Sequence, residues 1–306
     1  MHPEIICIGE PMLEFNQRED GLYLPGHGGD TSNCAIAAAR QGAAVGYWTR
    51  VGADAFGHEF CTLWDAEGID RSQVIVDPDA PTGIYFVTHG PGGHAFSYYR
   101  TGSAASRMTP DDLPEDYLAK ARILHVSGIS QAISESAADT VFRAIEIVRD
   151  AGGLVSYDTN LRLKLWPEER ARAVIHGAMT RCQIALPGLD DAEILAGRTD
   201  PEAIVDFYLE LGAEVVALTL GAEGTLVATP QERRRIAGRR VEPVDATGAG
   251  DTFDGAFLAE IAAGRDAFAA ARYANAAAAL STQGFGAVAP MPRRADVEAF
   301  IARAEV

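Results

Sequence analysis

The chain has 306 residues, 47% of them apolar and 23% charged, which is ordinary usage for a globular protein long enough to bury a full core without staples. Its 43 acidic and 26 basic side chains leave a formal charge of -17. That excludes a general nucleic-acid binder and an anionic membrane surface as partner, because both are held by surplus Lys and Arg.

In chain order, residues 4–8 form a short apolar run ended by Gly9 and read as a buried strand. The start lacks the basic residues and long apolar stretch of a signal peptide, and no run reaches transmembrane length, so the expected working place is the cytoplasm. Residues 11–26 suit a small exposed hairpin. Residues 31–40 read as a helix stopped at Gly42, 47–51 as a strand, and 55–67 as a helix closed by Gly68. Residues 73–76, 83–88 and 95–100 are β-rich, with turns at Pro78, Pro81 and Pro91-Gly92-Gly93. With no helix between them, they predict an antiparallel patch apart from the main sheet.

From Arg122 onward strands and helices alternate. Strands are expected at 123–126, 154–157, 183–186, 215–219 and 225–228, and helices at 134–150, 167–180 and 201–211. Two Ala-rich helices, about 251–263 and 266–281, and one near 293–304 end the chain. This rhythm predicts one α/β domain over residues 1–306, with a mostly parallel central sheet, helices on both faces, and a small β lid built from about 11–26 and 73–100. The cysteines, Cys7, Cys34, Cys61 and Cys182, form no CxxC pair and no metal spacing with His, so buried reduced thiols are expected. The seven His are scattered and read as packed or solvated.

The sharpest chemical signal is Asp245-Ala-Thr-Gly-Ala-Gly-Asp251. Gly248, Ala249 and Gly250 make a small-residue turn, and Asp251 opens an apolar-periodic helix. Such a helix start has unpaired N–H groups and the positive end of the dipole, which suit a phosphate or a developing oxyanion. Asp251 there can take a proton from a hydroxyl; the plainer reading is an N-cap. No Gly-Lys-Ser/Thr follows, so this is not a Walker A loop, and the GxGxxG dinucleotide spacing is missing.

Asp245–Asp251 resembles the C-terminal signature of the ribokinase-like (PfkB-type) sugar kinases. His27-Gly-Gly-Asp-Thr-Ser-Asn33 and Arg50-Val-Gly-Ala-Asp-Ala-Phe-Gly57 resemble their N-terminal one. The two lie in the right order at opposite ends of the chain. Within the family, the 2-keto-3-deoxygluconate kinases are most similar, through residues 28–33, Phe96-Ser-Tyr-Tyr-Arg100, 124–130 and Asp158-Thr-Asn-Leu-Arg162 with Leu165-Trp166. The resemblance implies a ribokinase-like fold and ATP-dependent phosphorylation of a sugar-acid hydroxyl, giving the 6-phosphate of 2-keto-3-deoxygluconate. Gly29, Asn33, Tyr85, Tyr99, Arg100 and Arg162 would face the sugar acid, and Asp251 would be the base. Thr219, Gly221, Gly224, Gly248, Gly250 and Asn275 would face ATP, although Thr219–Gly224 alone also reads as a plain hairpin turn. Mg²⁺ would be held through water near Asp191, with Glu193 as the fallback. A monovalent cation and a homodimer through the lid strands are further family expectations.

The residues themselves support an acid as acceptor, since Arg binds a carboxylate as a planar fork and two Arg would correct the acidic field locally. Two departures stand out. The family's Asn-x-x-Glu is Gly188-Leu-Asp-Asp191 here, and its Asn-Tyr-Arg is Asn160-Leu161-Arg162. The alternatives are a kinase for fructose or ribose, one for a stereoisomeric keto-deoxy acid, and a non-catalytic sugar-responsive binding protein on the same fold.

Overall fold

The structure, a computed structural model, describes residues 2–18, 20–90 and 93–303. The proposed turn at Pro91-Gly92 and the end of the last helix at Ala304 therefore lie outside the described residues. The first strand, β1 (Ile5–Ile8), is wholly buried. Alternate residues enter opposite layers, Ile5 and Cys7 one core and Ile6 and Ile8 the other, as the period of two requires. A strand covered on both faces reads as a continuous apolar run rather than an alternating one.

After β1 come the hairpin β2 (Met12–Gln17) and β3 (Tyr23–Gly28), helix α1 (Asp30–Arg40), β4 (Val45–Trp48), β5 (Arg50–Gly52), α2 (Ala55–Ala66), β6 (Ile75–Asp77), β7 (Gly83–Gly90) and β8 (Gly93–Tyr99). The short α3 (Glu115–Leu118) leads to β9 (Ile123–Ser127), α4 (Gly128–Ala132), α5 (Glu135–Asp150), β10 (Leu154–Asp158), α6 (Glu168–Met179) and β11 (Ile184–Leu186). Then follow α7 (Leu189–Ala196), α8 (Pro201–Glu210), β12 (Val215–Thr219), β13 (Gly224–Ala228), β14 (Arg233–Ala237), α9 (Ala249–Ala262), α10 (Ala267–Ser281) and α11 (Arg294–Arg303).

The main sheet has eight strands in the order β14-β13-β12-β11-β10-β9-β1-β4. Its pairs are parallel except those of β13, which runs against both neighbours. Side chains of α1, α2, α9 and α10 fill one core layer, and those of α5, α6, α7 and α8 the other. This is the ribokinase-like architecture of a mixed sheet covered on both faces, as the alternation in sequence predicts.

A second sheet has the order β3-β2-β7-β8. It is mixed rather than antiparallel, because β2 pairs β7 in parallel. The expectation that residues 73–76 join it is corrected as well: β6 pairs β5 in a separate two-stranded ribbon, so its backbone bonds are used elsewhere. All four cysteines are free and buried.

Two features of α9 place the site. Its N-cap, Gly248, has φ 74, a left-handed conformation that L side chains rarely adopt. A Cβ there would also meet Ala287 Cβ at 2.9 Å. Lower down, Gly255 lies against α1, where a side chain would collide with the Cys34 carbonyl and the Ala37 methyl. The absence of that side chain lets α1 and α9 meet backbone to backbone.

Candidate active site

Open α/β sheets bind ligands where the carboxyl ends of the strands face the loops. Here β10 ends at Asp158 and β12 at Thr219, and the N-termini of α1 and α9 converge nearby. The close contact of α1 with α9 brings Asn33 Nδ2 to 2.8 Å from Asp251 Oδ2, across 218 positions of sequence. Asn33 Oδ1 is buried without a partner among the described residues, an acceptor left for something not made of protein.

Asp251 is half-buried in the first turn of α9. Burial pushes its carboxyl up to about 7; the Asp30 carboxylate adds to the rise, and the Asn33 hydrogen bond and the Arg162 guanidinium oppose it. Asp30 is fixed by Asn160 Nδ2 at 2.9 Å and by the Thr31 N–H at 2.9 Å. Asn160 holds that contact from a positive φ of 25, unusual for a residue other than Gly. Asp158 and Asp254 are also raised well above the ordinary carboxylate range, by burial first and then by their acidic neighbours. Sequence reasoning passed over Asp30, Asp158 and Asp254, although Asp30 lies inside the Gly28–Asn33 motif.

The second sheet contributes a face rather than single residues. Its register sets Glu14, Tyr85 and Tyr98 in one row. The Tyr85 hydroxyl donates to Glu14 Oε2 at 2.6 Å, and its ring lies 5.7 Å from that of Tyr98. Tyr85 is close enough to Asp251 to feel its charge. Tyr99 points the other way and meets Phe86 edge-on, so Tyr85 and Tyr99, expected to face the sugar together, lie on opposite faces, and the tyrosine that shares the Tyr85 face is Tyr98.

The two arginines differ. Arg162 is exposed, among the described residues its guanidinium donates only to the Leu161 carbonyl at 2.8 Å, and its charge reaches both Asp251 and Asp191. Arg100 is ion-paired to the buried Glu10, which Ser103 also holds, so its charge is spent inside the protein. Its Nε remains buried and unpartnered among the described residues.

On the other side, Thr219 ends β12 and Gly221 opens the following turn at φ 58. Gly224 is buried against β14, where a side chain would strike the Ile236 carbonyl, so its role is hairpin packing. The Asn275 amide is also used internally: it accepts from Thr225 Oγ1 at 2.7 Å and donates to the Ile236 carbonyl at 3.1 Å. It braces the hairpin behind the turn rather than presenting a free amide. Asp191 accepts the Leu161 N–H at 2.8 Å, which ties α7 to the Arg162 loop. Burial raises its pKa. Among the described residues no cluster of three His, Cys, Asp or Glu could hold a metal ion by itself.

This arrangement fits a nucleotide phosphate and an alcohol side by side. The helix start at Gly248–Asp251 is open, and a Cβ at Gly250 would meet nothing within 4 Å. One Asp191 oxygen is engaged by backbone, and the other suits a cation that keeps its own water shell.

The model for pfkB family carbohydrate kinases matches residues 3–294. A 2-dehydro-3-deoxygluconokinase of Thermoproteus tenax is 36% identical over 305 residues, 95% of this chain and 93% of that protein. A probable fructokinase-4 of Arabidopsis thaliana is 30% identical over 315 residues, 97% and 96% of the two chains. A crystal structure of a fructokinase from Vibrio cholerae O395 with fructose, ADP and calcium ion bound superposes with a TM-score of 0.88 at 28% identity, covering 97% of this chain and 98% of that one.

The raised Asp251 pKa has a consequence for folding. Between the unfolded value near 4 and the folded value of about 7, the native state binds the extra proton, so this group's contribution to stability falls as pH rises through that window. Asp251→Asn is therefore expected to be more stable than the natural chain at pH 8, with the difference fading as pH falls toward 4. Thermal unfolding at both pH values checks this, and an equal difference at both would remove the assigned shift.

Proposed function

The chain belongs to the pfkB family of carbohydrate kinases and is an ATP-dependent sugar kinase, and from that premise we propose that its acceptor is a small sugar acid of the 2-keto-3-deoxygluconate type, phosphorylated at its 6-hydroxyl. The observation that carries the acid is Arg162, an exposed guanidinium with no carboxylate hydrogen-bonded to it among the described residues, beside Asp251 in a chain of charge -17. The 2-dehydro-3-deoxygluconokinase name of the Thermoproteus tenax relative supports the same acceptor.

ATP with a divalent cation supplies the phosphoryl group and part of the charge neutralisation. Magnesium is the cation proposed, near Asp191 through water. The protein's share is positioning and electrostatics, which phosphoryl transfer chiefly needs. Asn33 aims the Asp251 carboxylate, and Asp251 takes the proton from the attacking hydroxyl. The backbone N–H groups of Ala249, Gly250 and Asp251 face the transferred charge. Arg162 binds the carboxylate of the sugar acid, Arg100 offers its buried Nε, and Gly29, Tyr85 and Tyr98 wall the sugar. Thr219 and Gly221 border the nucleotide.

A neutral hexose is the second reading. It is favoured by the Arg100–Glu10 ion pair, which leaves one free guanidinium rather than two, and by the fructokinase name of the Arabidopsis thaliana relative. The sheet face that carries Tyr85 also leaves Leu24, Phe96 and Tyr98 exposed, at 51%, 43% and 41%. A second copy of the chain covering this apolar row is part of the proposal.

Four outcomes are expected. For the natural chain, kcat/KM rises with pH through about 7 as Asp251 ionises. In Asp251→Asn, kcat drops by roughly 10²–10⁴ while nucleotide affinity persists. Near-natural turnover in that variant, read by ADP release, would refute the base. Arg162→Ala raises KM about 10-fold or more for a keto-deoxy sugar acid and far less for fructose, given the strength of a charge-assisted fork; equal shifts in a substrate panel would favour the hexose. Sedimentation at micromolar concentration shows a dimer that Leu24→Glu weakens, and a monomer in the natural chain removes the lid-to-lid contact.

A further inference from the structure

The segment from Arg233 to Arg240 holds five arginines in eight residues, RRRIAGRR, within a strongly acidic chain. Not all of that charge is free. Arg233 is paired with Glu202 and Asp206, and Arg234 with Glu232 while it also lies over the Phe268 ring. Arg235 only approaches Glu202, at 3.9 Å. Arg239, Arg240 and Arg272 have no ion pair or hydrogen bond among the described residues. Arg239 is nevertheless half-buried.

Three of these cations share one concavity. A cavity of about 300 Å³ is lined by Arg235, Arg239, Arg272 and the Ile236–Gly238 stretch. None of its lining residues belongs to the Asp251 site. No acid among the described residues neutralises Arg239 or Arg272, so an anion in this concavity gains charge-assisted partners without displacing an internal ion pair of either. Arginines from a strand end and a helix line the same concavity, and planar guanidinium forks suit the oxygens of a phosphate better than they suit a monovalent ion. We infer that the cavity at the end of β14 is a second anion site, built for the phosphate group of a small phosphorylated molecule and separate from the position of the transferred phosphoryl.

The site adjoins the nucleotide turn. The Gly238 N–H donates to the Glu223 carbonyl at 3.0 Å, and a Cβ at Gly238 would overlap the Ala222 carbonyl. Gly224 pairs with Ala237 across the hairpin. The wall of the cavity and the turn that borders ATP are thus one packed piece of backbone. An anion that fixes Arg239 therefore restrains the turn from behind, which is where a phosphorylated effector would act on nucleotide affinity. That consequence rests on the kinase reading; the anion site does not.

Calorimetric titration of inorganic pyrophosphate into the whole chain, saturated beforehand with a non-hydrolysable ATP analogue, tests the site. One equivalent is expected to bind. The double variant Arg239→Gln, Arg272→Gln should weaken it about 10-fold or more, as loss of two charge-assisted forks implies. Arg149→Gln with Arg303→Gln removes the same charge elsewhere and should change it less than about 2-fold, because remote exposed charges are screened. Affinity for the analogue should be alike in all three proteins. No pyrophosphate bound by the analogue-saturated chain overturns the inference. So does equal weakening in both double variants, or loss of analogue affinity in Arg239→Gln, Arg272→Gln, which would make these arginines part of the nucleotide groove. If the analogue itself fails to bind the natural chain, the kinase reading fails while pyrophosphate binding to the free chain still decides the anion site. Parallel titrations with ADP and with a sugar phosphate then tell a second nucleotide from a phosphorylated sugar; binding of either supports the site.

Discussion

The backbone contact between α1 and α9 is the constraint on which the site depends. It exists because Gly255 has no side chain and the facing α1 residues are Cys34, Ala37 and Ala38. Helices that meet this closely hold their N-termini in fixed register, and both N-termini carry chemistry: Asp30 and Asn33 on one, Asp251 on the other. The Asn33–Asp251 hydrogen bond follows from helix packing, not from any local motif. A bulkier residue at 255 would separate the carboxylate from the amide that aims it.

That packing also concentrates acid. Asp30, Asp158, Asp251 and Asp254 lie close enough to perturb one another, and in each shifted case burial is the largest cause. Burying carboxylates together disfavours their charged forms, so Asp158, Asp251 and Asp254 hold their protons to higher pH than isolated carboxyls would. A base must sit near the working pH to accept a proton readily and still be ionised. In the role proposed for Asp251 as base, the same environment that weakens the fold would tune its carboxyl, an instance of strain concentrated where function needs it.

Much of this was legible in the sequence, and what was missed has definite physical reasons. The strand and helix rhythm after Arg122 is local, and the structure follows it. The glycine turn before Asp251 was visible because only small residues permit its shape. Pairing partners were not visible: the direction of β2 against β7, and the departure of β6 to β5, depend on contacts distant in sequence. The choice between Tyr98 and Tyr99 turned on a one-residue register, which a sequence rich in tyrosine on both parities leaves open. The Arg100–Glu10 ion pair was hidden because nothing near Arg100 in sequence announces that partner. The internal use of the Asn275 amide was hidden for a similar reason, since Thr225 reaches it across 50 positions.

The two halves of the site are built differently, and this bears on how substrate preference varies within the fold. In the proposed function the donor side is made of backbone: the Gly221 turn, the Gly248–Asp251 helix start, and a hairpin locked by Gly224 and Asn275. The proposed acceptor side is made of side chains on a separate four-stranded sheet and on the loop after β10, Tyr85 and Tyr98 on the one and Arg162 on the other. Relatives named for a sugar acid and for fructose match nearly the whole chain at 36% and 30% identity, so on the proposed reading the choice of acceptor rests on these side chains rather than on the fold.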